Sequence, residues 1–405
     1  MPKPNILWIC TDQQRFDTLG CYENDLVKTP NIDRLAARGV LFETAFCQSP
    51  VCTPSRASFL TGRYPRTTRC RQNGQSIPDD EMLVTRLLAE AGYTCGLSGK
   101  LHLSTCNPKA APVSERRIND GYVDFHWSHT PMPSSAVPKR VPGDGYEKFH
   151  WSHDTSNQWP TNEYFSWLRE NNIMYERNAF QNSDHVQTSV AAEHHQTTWC
   201  ANKAISFIET NAMFDRPWLF SVNMFDPHHP FDPPEEYLKP YLDRLDEIPL
   251  PNFANGELTG KPSFQETDHQ NAYNNPNLHS GATMSDNDHR LVRAAYYAMI
   301  DLIDDQVGRM IDALERTNQL ENTIVIFMSD HGEMLGDHGI YLKGPYFYEP
   351  AVRVPLIITG PGIQQGERSQ ALVELTDIAP ALMEAAGQSH YQGMQGQSLW
   401  SLLTG

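Results

Sequence analysis

Short apolar runs alternate along the chain with segments whose apolar residues recur at helical spacing. The runs predict strands at residues 5–10, 40–46, 93–99, 217–224, 322–328 and 354–360. The helical pattern covers residues 30–38, 79–92, 189–211, 286–317 and 376–387. Continuous apolar strands separated by helices are typical of a mostly parallel central sheet with helices on both faces. The pattern therefore predicts an α/β fold.

Two stretches, 104–188 and 225–284, interrupt this alternation. Both are rich in Pro, Asn, Ser, His and aromatic residues and show little periodicity. We expect them to be irregular loop insertions, of the kind that forms lids or binding loops in a compact domain.

The first stretch contains a short repeat, in which residues 120–129 and 144–153 match at eight of ten positions. Three interpretations remain open. The aromatic residues could pack together in duplicated hairpins, Trp127 and Trp151 could stack on a sugar, or the two His-x-x-His pairs could bind a second metal ion.

Composition restricts the partners that this chain can have. A net charge of −17 over 405 residues disfavours nucleic acid and anionic membranes, so we expect neither as a partner. An anionic small substrate would need positive charge gathered locally. The N-terminal residues lack the features of a secretory signal, which predicts a cytoplasmic protein, or a periplasmic or secreted one if the sequence begins at a mature end.

Side chains with catalytic or metal-binding chemistry follow four of the predicted strands. In order along the chain they are Asp12 and Gln13, Lys100 and His102, His228 and His229, and Asp330 and His331. Ligands of open α/β sheets bind at the carboxyl ends of the strands, so we expect these residues to share one edge of the sheet. Asp12, Gln13, Asp330 and His331 offer three oxygens and one nitrogen, a set that suits Ca²⁺, Mg²⁺ or Mn²⁺.

Cys52 differs from the other cysteines because it stands at the start of a predicted helix, in "VCTPSRASFLTGR". A thiol at a helix N-terminus has a lowered pKa, which would suit a cysteine hydrolase with His102 or His228 as base. That interpretation leaves the metal-binding set unexplained.

The segment C-x-P-S-R-x-x-x-L-T-G, from Cys52 to Gly62, resembles the signature of formylglycine-dependent sulfatases, which belong to the alkaline phosphatase superfamily. "KPNILWICTDQQR", "GYTCGLSGKLHL", "PHHPF" and "SDHGEMLGDHGIYLKG" resemble further segments of that family. The resemblance implies that a formylglycine-generating enzyme oxidises Cys52 to an aldehyde. The hydrated aldehyde attacks sulfur, and its second hydroxyl then expels sulfate.

The resemblance also implies a role for each site residue. The metal ligands are Asp12, Gln13, the modified Cys52, Asp330 and His331, with Ca²⁺ as the expected ion and Mn²⁺ or Mg²⁺ as alternatives. The remaining roles are Arg56 anchoring the diol, Lys100 and Lys343 holding sulfate oxygens, His102 as base, His228 as acid and His229 at a variable, substrate-contacting position. The implied substrate is a sulfate monoester, which the Trp- and His-rich loops suggest is a sulfated carbohydrate.

Three departures from the family pattern keep other functions open. Gln13 and His331 occur instead of Asp and Asn, as in choline sulfatases and phosphonate monoester hydrolases, so a phosphonate monoester or phosphodiester hydrolase is one alternative. Leu101 and Ser104 stand where Trp and Gly are usual. The sequence "GQSLWSLLTG" at 396–405 resembles the end of the catalytic domain, so we expect one domain over 1–405 without the small C-terminal domain. A protein of another class, inactive and binding only metal or anions through an unmodified Cys52, is the remaining alternative.

Overall fold

The computed structural model describes residues 3–104, 143–156, 162–180 and 183–405. The strands within these ranges are β1 (Asn5–Thr11), β2 (Gly39–Phe42), β3 (Ala45–Phe46), β4 (Thr94–Gly99), β5 (Tyr146–Trp151), β6 (Asn178–Ala179), β7 (Gln187–Thr188), β8 (Trp218–Asn223), β9 (Thr323–Ser329), β10 (Leu356–Thr359), β11 (Glu367–Ser369) and β12 (Val373–Glu374). The α-helices are α1 (Pro30–Ala37), α2 (Cys52–Thr61), α3 (Pro65–Thr68), α4 (Val84–Glu90), α5 (Glu163–Glu170), α6 (Gln196–Asn211), α7 (Glu235–Leu242), α8 (Ser263–Gln270), α9 (Asp286–Arg316), α10 (Glu349–Val352), α11 (Ile378–Ala385) and α12 (Trp400–Thr404).

The central sheet of the described residues has the strand order β11-β2-β10-β9-β1-β8-β4-β5. Strands β9, β1, β8, β4 and β5 run parallel to one another, with Trp8 of β1 opposite Ile326 of β9 and Ser221 of β8. Strand β10 is antiparallel to both β9 and β2. The predicted mostly parallel sheet is therefore confirmed.

Both faces of the sheet are covered, as the uniformly apolar strand sequences predict. Alternate residues of β1 enter different clusters: Leu7 packs with α6 and α9 on one face, whereas Trp8 lies on the other. The Trp8 indole is 5.4 Å from the Phe59 ring of α2. This double coverage leaves the ends of the strands as the place where loops can converge.

Helix ends follow the signals in the sequence. The hydroxyl of Ser285 accepts the backbone N–H of Asp288, and the Asp288 carboxylate accepts the N–H of Ser285, so α9 begins with a capping box. Gly62 caps the C-terminus of α2, and its φ of +68° is the left-handed conformation that glycine adopts at helix C-termini.

Several predicted boundaries differ from the structure. The expected strand at 40–46 is two strands, β2 and β3, and the expected helix at 79–92 is confined to α4. The prediction that 104–188 and 225–284 are irregular is wrong in part, because they contain β5 and helices α5, α7 and α8. Buried aromatic and aliphatic residues anchor these elements. The apolar runs that contain them are short and lie among proline and asparagine, so they show little hydrophobic periodicity.

Two further observations bear on the sequence predictions. The first copy of the repeat, with Trp127, lies outside the described residues. Among the residues described, no helix has both the length and the apolar character that crossing a bilayer requires.

Candidate active site

Loops that follow β1, β4, β8 and β9 meet the start of α2 at the carboxyl end of the parallel strands. The backbone N–H groups of Asp12 and Asp330 donate to the carbonyls of Asp226 and Thr11, at 3.2 Å each, which holds three of these loops together. Side chains predicted at the ends of separate strands are thus brought into one cluster.

The Cys52 thiol lies at the centre of this cluster. Its Sγ is 2.9 Å from Nζ of Lys343, 3.2 Å from Nε2 of His331, and 3.6 Å from both Oδ1 of Asp12 and Nζ of Lys100. Cys52 is the first residue of α2, after Val51 in an extended conformation, and is only 1% exposed. The thiol is therefore enclosed by cations and potential metal ligands.

Charge in the cluster controls the ionisation of Cys52. Burial opposes formation of the thiolate, but the positive charges of Lys100, Lys343 and His331 outweigh burial and hold the pKa of Cys52 well below its usual value. At the neighbouring Cys10 thiol, burial is the largest effect and raises the pKa. Position 52 is thus the place where negative charge is stabilised.

Four buried residues can converge on one cation. Asp12, Cys52, Asp330 and His331 each offer a ligand atom, and these atoms lie within 4.8 Å of one another. Gln13 adds a buried side-chain oxygen, Oε1, that accepts no hydrogen bond from any described residue. The set of carboxylate and amide oxygens with one imidazole fits a divalent cation.

The orientation of His331 suits a metal ligand. Its Nδ1 lies 2.9 Å from the carbonyl of Gly332, and because a carbonyl only accepts, Nδ1 carries the proton. Nε2 is then the ring nitrogen that can bind a cation, and it faces Cys52 and the carboxylates. A backbone partner on the second nitrogen is the usual arrangement for a metal-binding histidine.

Arg56 holds the two carboxylates in place. Its Nε donates to Oδ2 of Asp330 at 2.8 Å, its Nη2 to Oδ2 of Asp12 at 3.2 Å, and its Nη1 to the carbonyl of Lys100 at 2.7 Å. The guanidinium is fully buried. These contacts assign Arg56 to positioning the carboxylates; the expected contact with the nucleophile is indirect.

Lys100 reaches the cluster because Gly99 precedes it. Gly99 has a φ of +95°, and a Cβ at this position would lie 1.9 Å from the carbonyl oxygen of Asn223. Lys100 then extends over the Phe225 ring to Oδ2 of Asp12, at 2.5 Å. Burial lowers the pKa of Lys100, but the charges of Asp12 and Cys52 outweigh burial and raise it, so the lysine stays protonated.

His102, His153 and Trp151 form a second layer beside the thiol. The His102 side chain hydrogen-bonds to Cys52, and its ring packs edge-on against His153 at 4.6 Å. The Trp151 ring stacks on His153 at 6.0 Å and is only 2% exposed. The structure therefore corrects the expected sugar-stacking role of Trp151, because its indole has no open face for a sugar.

A line of aromatic rings leads from this cluster to the surface. His228 packs against Phe225 at 4.6 Å and against His229 at 4.1 Å, and His229 faces Tyr273 at 6.1 Å. Burial and then the charge of Lys343 lower the pKa of His228 to about 4. The Nδ1 of His228 is 2.5 Å from the carbonyl of His229, so Nε2 is the ring atom that faces the cluster.

Sequence reasoning missed two residues at this site. Tyr273 lies in a stretch expected to be irregular, and its φ of +57° is rare for a tyrosine. Glu333 follows the "SDH" segment and is fully buried against Gln13, to which it is hydrogen-bonded. Only the glutamate had a usable signal, since it belongs to the same segment as Asp330.

Comparison with known proteins finds a family match over most of the chain. The family described as sulfatase matches residues 4–388 of the chain. The uncharacterized sulfatase YidJ of Escherichia coli is 33% identical over 98% of this chain and 71% of its own length. The N-acetylglucosamine-6-O-sulfatase of Bacteroides thetaiotaomicron is 26% identical over 99% of this chain and 71% of its own length.

A solved structure has the same fold. The phosphonate monoester hydrolase of Agrobacterium radiobacter superposes with a TM-score of 0.76 at 26% identity. The match covers 99% of this chain and 77% of that one.

Proposed function

The chain belongs to the sulfatase family of sulfuric ester hydrolases, and from this premise we propose that it hydrolyses sulfate monoesters of carbohydrates through Cys52 oxidised to formylglycine. The observation that carries the proposal is the position of Cys52. It lies at the start of α2 within 3.6 Å of two lysine ammonium groups and one carboxylate. A cysteine hydrolase that uses an unmodified thiol would not require the carboxylates and the amide that lie beside Cys52.

The oxidised side chain supplies two hydroxyls when hydrated, one to attack sulfur and one to expel the sulfate afterwards. The chain's own residues then stabilise charge around it. Lys343 and Lys100, already in contact with Sγ, would donate to the sulfate oxygens. The N-terminal end of α2 adds its partial positive charge at the same point.

A divalent cation, with Ca²⁺ as our first choice, would be held by Asp12, Gln13, Asp330, His331 and position 52. When bound, the cation supplies positive charge that lowers the pKa of an attacking hydroxyl and neutralises sulfate. Arg56 keeps Asp12 and Asp330 aligned for this purpose by donating to both.

Proton transfer falls to the two histidines beside Cys52. His102 hydrogen-bonds to the Cys52 side chain, which suits a base that takes the proton of the second hydroxyl. His228 also hydrogen-bonds to Cys52 and stands where the aromatic line leaves the pocket. Its Nε2 would exchange a proton or hydrogen bond with the leaving oxygen.

The substrate class is supported by the aromatic line. His229 and the 42% exposed Tyr273 stand outside His228, where the alcohol part of the ester would extend. Ring faces of this kind pack well against the apolar face of a sugar. The N-acetylglucosamine-6-O-sulfatase among the relatives acts on a sulfated sugar, in line with this proposal.

Phosphonate monoesters are the second candidate substrate. The likeness to the Agrobacterium radiobacter hydrolase favours it, and a phosphonate carries negative oxygens that the same lysines could hold. Matched aryl esters of sulfate and of phenylphosphonate distinguish the two activities. A higher kcat/KM for the sulfate ester is expected, and a marked preference for the phosphonate would reverse our choice.

Mass spectrometry tests the nucleophile. Trypsin releases residues 39–56 as one peptide that holds both Cys47 and Cys52. After alkylation we expect one modified thiol, at Cys47, and an aldehyde at position 52 in protein that turns over substrate. Active protein with both cysteines alkylated would contradict the proposed modification, and Cys47 serves as the internal control for labelling.

A further inference from the structure

Glu333 is the fully buried carboxylate behind the expected cation site. Its Oε1 accepts the backbone N–H groups of Leu335 and Leu342, at 2.8 and 2.5 Å. Its Oε2 accepts the side-chain N–H of Gln13. The two backbone donors fix the carboxylate, and the amide of Gln13 is the group that adapts to it.

Gln13 is held at every polar atom but one. Its backbone N–H donates to Oδ1 of Asp330 at 3.1 Å, and its carbonyl accepts the hydroxyl of Tyr296 at 2.5 Å. Its Nε2 donates to Glu333. The remaining atom, Oε1, is buried and accepts no hydrogen bond from the described part of the chain.

The two ends of an amide have nearly the same shape but opposite chemistry. Only the oxygen can bind a cation, whereas the NH₂ group would repel it. Both oxygens of Glu333 accept N–H donors, and an ionised carboxylate has no proton to donate, so in this form Glu333 admits Gln13 in one orientation, with NH₂ toward Glu333 and oxygen toward the site.

We propose that Glu333 is a positioning residue that fixes the Gln13 amide so that its oxygen faces the cation. The inference rests on the proposed function in one respect, namely that Gln13 belongs to a cation site. It goes beyond that function by assigning a role to a residue that touches neither the nucleophile nor the substrate.

Exchange of the two side chains tests this role. In Glu333→Gln, the oxygen of the new amide stays with the Leu335 and Leu342 donors, so its NH₂ faces Gln13 and turns the Gln13 oxygen away from the site. In Gln13→Glu, two carboxylates oppose each other. In the exchanged double variant, Gln13→Glu with Glu333→Gln, the new amide donates to the new carboxylate, and the other oxygen of residue 13 again faces the cation.

The measurement is calorimetric titration of chelator-treated protein with Ca²⁺ and, separately, Mn²⁺. We expect Glu333→Gln to weaken binding about 10- to 100-fold, the usual cost of losing the partner of a metal ligand. When Glu333→Gln is introduced into the Gln13→Glu variant, it is expected to strengthen cation binding instead. A double-mutant cycle detects this change in the sign of its effect. Glu321→Gln, at an exposed surface glutamate, is the matched control and should bind like the parent protein.

Each outcome has one meaning. A parent protein that binds neither ion overturns the cation site of the proposed function, whatever Glu333 does. If the parent binds but Glu333→Gln binds equally well, or weakens binding to the same extent in both backgrounds, the positioning role is overturned. If Glu333→Gln alone does not fold, an exchanged variant with at least parental affinity supports the role, and one that is also unfolded overturns it.

Discussion

Two groups of side chains meet around Cys52, and different forces hold them. The pocket floor consists of Asp12, Gln13, Cys52, Arg56, Lys100, Asp330, His331 and Lys343. The pocket rim consists of His228, His229 and Tyr273. The floor is buried and joined by ion pairs and hydrogen bonds, such as those of Arg56 to both carboxylates. The rim is joined by ring contacts and reaches solvent at Tyr273.

This contrast predicts that substitutions in the two regions have different effects on catalysis. A buried charged network is costly to disturb, because removal of one member leaves another charge without its partner. Ring contacts at a partly exposed rim can change with small losses. We therefore expect substitutions in the floor, and of the proposed acid His228, to reduce kcat for every substrate. Substitutions of the outer rim residues His229 and Tyr273 should change KM for particular substrates.

The largest effect is expected at Cys52. In Cys52→Ser, the serine can accept sulfate but has no second hydroxyl with which to expel it, so turnover should stop after one event. A burst of product without a steady state in stopped-flow assays is the expected result, with the thermal unfolding midpoint unchanged. Sustained turnover by Cys52→Ser would remove the reason for the oxidised side chain.

Lys343 should give the next largest effect. In Lys343→Met the ammonium that lies 2.9 Å from Sγ is lost, and one preorganised donor of this kind is worth about 10²- to 10³-fold in kcat. Lys203→Met removes a half-buried lysine of α6 that pairs with Glu163 and serves as the control. Equal kcat values for the two variants would argue against a floor that acts through charge.

A smaller effect, confined to KM, is expected at Tyr273. Loss of the ring in Tyr273→Ala should raise KM for a sulfated sugar about 3- to 10-fold, since a ring contact is worth ~0.5–1.5 kcal/mol. Tyr273→Phe should retain most of the affinity, and methyl or ethyl sulfate should be insensitive to either change. Phe214→Ala, at an exposed ring near the opposite edge of the sheet, is the control. An equal change of KM for sugar and alkyl sulfates would mean that the rim does not select the alcohol.

A substitution remote from both regions should leave activity unchanged and alter stability alone. The buried Asp301 of α9 accepts the backbone N–H of Lys28 and the hydroxyl of Tyr241, both at 2.8 Å. Burial raises the pKa of Asp301 from 3.8 to about 7. The folded state therefore holds this proton more tightly than the unfolded state, and stability is lost as pH rises from about 4 to about 7.

In Asp301→Asn the amide oxygen can accept the N–H of Lys28 and the NH₂ group can donate to the hydroxyl oxygen of Tyr241, and the side chain does not ionise. Relative to this variant, the wild-type free energy of unfolding should fall across that pH range by up to ~4 kcal/mol. Denaturant titrations at several pH values measure the difference. A constant difference from pH 4 to 8 would show that Asp301 ionises normally in the folded protein.

The floor could be predicted from the sequence, as could His228 and His229 of the rim, whereas Tyr273 could not. Asp12, Lys100 and Asp330 follow apolar strands, and parallel strands bring their carboxyl ends to one edge whatever the details of packing. Tyr273 depends on how a long segment without strong periodicity folds back over the sheet. Trp151 shows the reverse error, because aromatic composition suggested a binding surface where the chain uses the ring for packing.

Glu333 lies between these cases. Its position next to Asp330 and His331 was visible, but its role depends on two N–H groups, from Leu335 and Leu342, that point back at it. A loop that folds back in this way produces no hydrophobic periodicity in the sequence. The hydrogen-bond partners of a buried carboxylate are knowable only once the path of the chain is known.

The Cys52 side chain is almost completely enclosed, at 1% exposure. A separate enzyme that carried out the proposed oxidation would need access to this side chain, and packing of the helix that starts at Cys52 against Trp8 removes that access. On the proposed function, oxidation of Cys52 would therefore precede folding, and each molecule would fold either active or inactive. The active fraction of a preparation would then depend on the rate of Cys52 oxidation relative to the rate of folding in the producing cell.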